Sequence, residues 1–224
     1  IDNVAANWLL KDTVEYKKAL GAVLLETQKL SFYFCKKLNT SIDLNPEIEN
    51  SIISFLQSKL GFKISSLYQK LTNDERKKYL SSKLNRPLRI CGVVESKGTG
   101  GGPFWVKHSD GSESLQLVET DQINKADQRQ LTFLNASNYA NITDLFCGVK
   151  NYKGEKFDLT QFSNPDTGFI SHKSLSGKPI KAMELPGLWN GAMSDWNTAF
   201  VEVPMSTFNP VKTVLDLLKK EHQG

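Results

Sequence analysis

"NRPLRICGVV", residues 85–94, separates two kinds of sequence. Upstream of it, apolar residues recur every three or four positions over long windows, the period of amphipathic helices. Residues 12–38 read as one helix, with Asp12 or Thr13 as its cap and Tyr16, Leu20, Val23, Leu24, Leu30, Phe34 and Leu38 on one stripe. A second helix is expected over 46–60, with Pro46 near its first position, Ile48, Ile52, Phe55, Leu56 and Leu60 on one face, and Gly61 as its stop. A third covers 73–84, opened by the acidic "TNDER". Downstream, apolar and β-branched runs are short and turn signals frequent. "RICGVVE" (89–95) reads as a buried strand, and "PFWVKH" (103–108) and "SLQLVET" (114–120) flank the hairpin signal Asp110-Gly111. "ITDLFCGVK" (142–150) and "NTAFVEVP" (197–204) are further strands, and "KGEKFDL" (153–159) and "LSGKPIKAMEL" (175–185) hold turns and strands. A helix is expected over 211–220, with Lys212 in its first turn, where the helix dipole disfavours a cation unless an anion lies nearby. The organisation expected is therefore a strand end and loop at 1–9, a helical insertion at 10–87 and a β-rich part at 88–224 that closes in a helix. The class is α/β, or α+β when this stretch is taken by itself.

Charge follows the same division. Of the 224 residues, 28 are Lys or Arg and 24 Asp or Glu, a net charge of +4. Residues 1–90 carry 15 basic and 9 acidic side chains, and residues 91–224 carry 13 and 15. This bias is too weak for a nucleic-acid binder, so none is expected as a partner. The basic stretch 76–89 reads as a solvated helix face, with a polyanion site as the alternative. Cys35, Cys91 and Cys147 have no CxxC spacing and lie among apolar residues, which suggests buried thiols in a reducing, cytoplasmic setting. His108, His172 and His222 are far apart in polar loops or the tail and form no zinc pattern. No apolar run has the length of a membrane span, and no signal peptide is visible. The opening "IDNV" has the character of the end of a buried strand, so an upstream segment of the same protein is expected to complete it.

The run "KGTGGGPFWV" (97–106) is followed by no GK[ST] and opens no helix, which separates it from P-loops and dinucleotide fingerprints. It reads either as a mobile loop or as a place where Gly100, Gly101 and Gly102 let the backbone approach a ligand. Four stretches in order carry a more specific signal: "IDNV" (1–4), "CGVV" with "LQLVETDQI" across 91–123, "LTFLNASNYAN" (131–141) and "FVEVPMSTFNPVKTV" (200–214). Together they resemble the latter half of eukaryote-type UDP-sugar pyrophosphorylases, notably the UDP-N-acetylhexosamine pyrophosphorylases. "GGGPFWV" and "LPGLWNGAMSDWNT" (185–198) extend a second resemblance over most of the chain, to the bacterial domain-of-unknown-function family 4301.

The first resemblance implies a nucleotide-diphospho-sugar-transferase-like mixed sheet with a helical insertion. It also implies roles. Asp2 falls at the metal-linked aspartate, and one carboxylate suits magnesium, which keeps waters and phosphate oxygens as its other ligands. Glu119 falls at a glutamate that accepts hydrogen bonds from sugar hydroxyls. Asn135 and Asn138 match the asparagines of "FNAGN", with Ser137 in place of the glycine and Ile142 where a histidine is expected. Gly101 and Gly102 fall in the ligand-approach loop. Lys212 matches a phosphate-facing lysine, which would explain a cation at a helix start. Trp189 and Trp196, beside Asn190, Asp195 and Asn197, are either small-core residues or a sugar-site wall. The implied function is transfer of a nucleotidyl group from a nucleoside triphosphate to a sugar 1-phosphate, with release of pyrophosphate. The implied partner is a small nucleotide or sugar phosphate. No nucleotide-gripping glycine loop of that family occurs in these residues, so the chain is expected to be half of a site. The alternative is a non-catalytic sugar or nucleotide-sugar binding module.

Overall fold

A computed structural model describes residues 2–95, 101–185 and 192–223. A short strand β1 (Asp2–Asn3) leads into the long helix α1 (Leu10–Thr40), which buries Leu20, Phe34, Cys35 and Leu38 along one stripe. Helix α2 (Pro46–Leu60) starts where the Asn45 side chain accepts from the Glu47 and Ile48 amides, and it stops at Gly61, whose φ of 52° is the left-handed conformation of a helix C-cap. Strand β2 (Phe62–Lys63) follows directly, and helix α3 (Asn73–Leu84) comes after a short turn. The start of α3 is a capping box: Thr72 Oγ1 accepts from the Glu75 amide, and the Glu75 carboxylate accepts from the Thr72 amide at 2.8 Å. We expect Thr72→Ala to lower stability by about 1 kcal/mol. Urea titration should show a lower midpoint at unchanged m-value, and an unchanged midpoint would refute the cap's contribution.

The centre of the molecule is β3 (Leu88–Glu95). The strands β4 (Gly102–Lys107) and β5 (Glu113–Val118) form a hairpin, with Gly111 in a positive-φ turn. Helix α4 (Gln128–Ala136) precedes β6 (Tyr139–Gly148), and a second hairpin joins β7 (Phe169–Leu175) to β8 (Lys178–Glu184). Strand β9 (Asn197–Glu202), strand β10 (Pro210–Val211) and the short helix α5 (Lys220–Gln223) complete the order. β3 pairs antiparallel with β6 and parallel with β9, in the order β6-β3-β9. β5 lies between β2 and β4 in a second sheet, and β1 pairs with β10. The fold is thus mixed α/β, with open sheets.

Every residue of β3 from Leu88 to Val94 is buried. A strand covered on both faces needs a layer on each, and the alternation of its side chains assigns them. Leu88, Ile90 and Val94 join one core with α1, α2 and α3. Arg89 points the other way and donates to Gln116 of β5 and Thr198 of β9. The first turn of α1 is tied down by the Thr13 hydroxyl, which donates to the Leu9 carbonyl, and Ser31 of α1 donates to the carbonyl of Leu84 at the end of α3. The helices therefore share one core with the sheet.

Several expectations are corrected here. No helix spans 211–220: β10 is followed by a 3-10 turn at Val214–Leu218, so Lys212 lies on the link between them and in no helical turn. The cap lies at Thr213: the Asp216 carboxylate takes the Lys212 and Thr213 amides at 2.9 and 2.8 Å, so the turn begins after Lys212. The segment 131–141 holds the end of α4, which Asp127 caps, and the start of β6. The basic stretch 76–89 is not a solvated face throughout, because Lys83 and Arg89 are buried. Cys35 and Cys91 are buried, and burial pushes both thiols up to about 12, but Cys147 is exposed on β6. Trp196 and Asn197 belong to the core, with the Asn197 amide donating to the Leu84 carbonyl, so Trp196 is no sugar-site wall. His172 lies within β7. Gly100, Trp189 and Asn190 lie outside the described residues.

Candidate functional site

The parallel strands β3 and β9 end at Glu95 and Glu202. The C-terminal edge of parallel strands is where α/β sheets bind ligands. Glu95 is paired with Tyr139 at the start of β6, and the Tyr139 hydroxyl donates to Glu202 Oε2 at 2.8 Å. The glycines enter at this point. The Gly101 carbonyl accepts from the Asn141 amide at 2.9 Å, and a Cβ on Gly102 would lie 2.5 Å from the Tyr139 carbonyl oxygen. A Cβ on Gly101 would lie 3.2 Å from the Glu119 carboxyl carbon. Close approach to backbone thus requires glycine at 102, whereas at 101 a Cβ would meet only the far end of the Glu119 side chain. Asn141 holds φ at 64°, a left-handed conformation that asparagine tolerates better than most residues.

Glu119 follows β5 directly and is half-buried. Its amide donates to the Gln122 side chain at 2.9 Å, which fixes the turn. Burial raises the Glu119 carboxyl above its ordinary value, and Asp121 and Glu184 add to the shift. Such a carboxylate gains from hydrogen-bond donors, as sugar hydroxyls are.

Beside this junction lies a cleft of about 600 Å³ lined by Phe104, Trp105, Phe133, Asn138 and Tyr139, among others. Trp105 and Phe133 are 46% and 67% exposed. Lys63 Nζ sits 3.8 Å from the centre of the Trp105 ring and pairs with Glu113 at 3.1 Å. Exposed rings beside amides suit the C–H face of a sugar or a base. Asn138 thus lines the cleft, while Asn135 is exposed on α4, next to the lining residue Ala136.

Asp2 and Lys212 lie at a separate two-stranded ladder, that of β1 with β10. Asp2 is the register partner of Val211, so Lys212 follows one residue beyond. The neighbouring Asn3 fastens this ladder: its amide donates to the Thr207 and Thr143 carbonyls at 2.7 and 3.4 Å, and its oxygen accepts from the Asn209 amide at 2.6 Å. Lys212 is exposed. Asp216, which also pairs with Lys219 at 2.6 Å, is held far below the usual carboxylate range by Lys219 and by the Thr213 and Lys212 amides.

The two groups are therefore anchored on one strand. Gly101 is bonded at Asn141 and Asn3 at Thr143, two positions apart on β6 and about 7 Å along it. The structure brings Gly101, Gly102 and Glu119 into one junction, with Asn138 lining the cleft beside it. It brings Asp2 and Lys212 to an adjoining ladder and leaves Asn135 on the outer helix. The sequence reading missed Tyr139 and Glu202, which meet across 63 residues, and Trp105 and Phe133, whose exposure only the fold reveals. The dipeptide "NY" directly after the quoted "AS" was the one available signal for Tyr139. Among the described residues, no group of three or more His, Cys, Asp or Glu side chains is arranged to hold a metal.

Comparison with known proteins gives three results. No curated protein matches the sequence. Among solved structures, the chain is similar to UDP-glucose pyrophosphorylase from Leishmania major in two variant forms bound to UDP-glucose. One has 17% identity over 76% of this chain and 39% of that one, with a TM-score of 0.34. The other has 19% identity over 75% and 38%, with a TM-score of 0.37. The open and closed structures of the same enzyme give 18%, 75%, 38% and 0.34. The chain spans about two-fifths of the length of these structures. Residues 1–223 match the family described as a domain of unknown function, DUF4301, and the chain belongs to that family.

Proposed function

We infer that this chain supplies the sugar- and phosphate-binding half of a nucleotidyltransferase-like site of the nucleotide-sugar pyrophosphorylase type. The observation that carries the reading is the junction of Gly101, Glu119 and Asn141, where three separate sequence stretches meet beside the ends of β3 and β9. In this reading Glu119 accepts hydrogen bonds from hydroxyls of the hexose, and Asn138 reads a further hydroxyl or acyl group in the aromatic cleft. Lys212 is a point charge for the phosphates. Asp2 contributes one carboxylate to a magnesium ion that the phosphates carry into the site. A phosphate oxygen of the sugar 1-phosphate forms the new bond to the α-phosphorus of a nucleoside triphosphate, and the bond from that phosphorus to the leaving pyrophosphate breaks. The nucleophile is already anionic, so this half of the site needs no general base. The protein's part is positioning and charge.

Calorimetric titration with UDP-glucose in the presence of magnesium tests this reading. Lys212→Ala and Glu119→Gln are each expected to weaken binding about 10-fold, the size of one charge-assisted hydrogen bond. The Lys212 variant alone should leave the affinity for a phosphate-free hexose unchanged. Wild-type affinity in both variants would sink the assignment. Binding without turnover of UTP and glucose 1-phosphate by the intact protein would select the non-catalytic module.

A further inference from the structure

A second cavity, of about 650 Å³, lies between β5, the first residues of β3, the loop 163–167 and the residues just before β9. Its charges are arranged differently from those of the aromatic cleft. Arg89 of β3, 1% exposed, lines it and is held in one plane by donation to Thr198 Oγ1 and Gln116 Oε1, each at 2.8 Å. Lys83 and Arg86, from the end of α3 and the residues after it, line the same space, with side chains 10% and 16% exposed. Each has one carboxylate partner: Asp110 at 2.7 Å from Lys83 and Asp195 at 3.4 Å from Arg86. With Lys107 and the exposed Asp166, the lining carries four cations and three carboxylates, an excess of one positive charge.

Surface lysines and arginines are ordinarily hydrated, but these three cations have been taken out of water by the fold. Burial lowers the pKa of Lys83, Arg86 and Arg89 alike, which records the cost of holding each charge there. An incoming anion would recover part of that cost. The rest of the lining is neutral and polar. His108 shares a hydrogen bond of 2.7 Å with Ser114, and burial lowers its pKa. Ser163, Asn164 and Thr167 complete the lining; the two hydroxyls donate to the Thr160 and Asn164 carbonyls within their own loop, which leaves their lone pairs to accept from an alcohol.

We propose that this cavity binds a small polyhydroxylated anion, a sugar carboxylate or a sugar monophosphate, at a site separate from the Glu119 junction. The acidic group faces Lys83, Arg86 and Arg89, and the hydroxyls face the loop 163–167. The test is calorimetric titration of the folded protein with gluconate and with glucose 6-phosphate, which separate the carboxylate from the phosphate source. Binding that responds to substitution of Arg86 or Asp166 belongs to this cavity, because neither residue lines the aromatic cleft beside the Glu119 junction. Arg86→Gln should weaken binding about 10-fold, through loss of one charge-assisted partner. Asp166→Asn, at an exposed residue that the core does not need, should tighten binding about 3-fold by removing a like charge. The Asp166 variant keeps the test decisive if Arg86→Gln does not fold. Saturation by neither anion, affinities unmoved by both substitutions, or equal affinity for neutral glucitol would each overturn the proposal.

Discussion

Gly102→Ala is expected to separate β4 from β6 and to abolish ligand binding at the Glu119 junction, with a loss of stability of about 1–3 kcal/mol. The argument is one of hardness. The new methyl group would sit 2.5 Å from a backbone oxygen, that of Tyr139, which is itself fixed by its pairing with Glu95. A side chain could rotate away, but this carbonyl cannot move without disturbing the β3–β6 ladder. The neighbouring substitution Gly101→Ala makes the control. Its methyl would lie 3.2 Å from the Glu119 carboxyl, the far end of a flexible side chain that can swing aside. That variant should keep nearly wild-type stability and lose affinity through displacement of Glu119. Denaturant midpoints and UDP-glucose titration of the pair check both statements. Equal stability of Gly102→Ala and wild type would mean that β4 and β6 do not meet as described.

The helices were legible because their signals are local. The expected windows 46–60 and 73–84 coincide with α2 and α3, since Asn45, Pro46 and Gly61 in one case and Thr72 with Glu75 in the other fix both ends chemically. The window 12–38 falls inside α1, which gains a residue pair at each end from Thr13 bonding to Leu9 and Thr40 bonding to Lys36. The Asp110-Gly111 hairpin was readable for the same reason. What escaped depends on residues far apart in the chain. Arg89 looks like part of a basic surface run until Gln116 and Thr198 are brought to it by two other strands. The terminal helix was misplaced because Thr213, boxed with Asp216, caps a 3-10 turn that begins only at Val214, so Lys212 precedes it. Of the site, the order of the motifs was visible and the glycine–glutamate contact was not, because close approach between residues 101 and 119 is a property of the β4–β5 hairpin register.

Asp110→Ala is expected to destabilise the protein by about 3 kcal/mol, and its pH profile gives the reason away. Asp110 accepts from Lys83 at 2.7 Å and from the Ser112 amide at 2.9 Å. Lys83 is 8% exposed and lies between the Phe62 and Tyr79 rings, at 5.3 and 5.0 Å from their centres. Removing the carboxylate leaves a cation stranded there, which in buried pairs costs about 3–5 kcal/mol. The lower end applies because the Asp110 side chain is 37% exposed and water screens part of the pair. Burial alone would raise the Asp110 carboxyl, but Lys83 and Ser112 outweigh it and bring it from 3.8 down to about 2. A group depressed on folding stabilises above its unfolded pKa, so the wild type should lose this contribution as pH falls from about 4 to about 2. Asp110→Ala should lack that acid-side slope. On the alkaline side the sign reverses in origin. Burial lowers the Lys83 pKa in the folded state, so the unfolded chain binds more protons and stability rises with pH as Lys83 deprotonates. The hydrogen bond to Asp110 opposes that lowering. Without it the alkaline gain should begin at lower pH and be larger than in the wild type. Denaturation measured from pH 2 to 10 on both proteins reads the two slopes together. Parallel profiles, differing only by a constant offset, would mean that the cost of the substitution is lost packing and that Lys83 does not depend on Asp110 for its charge.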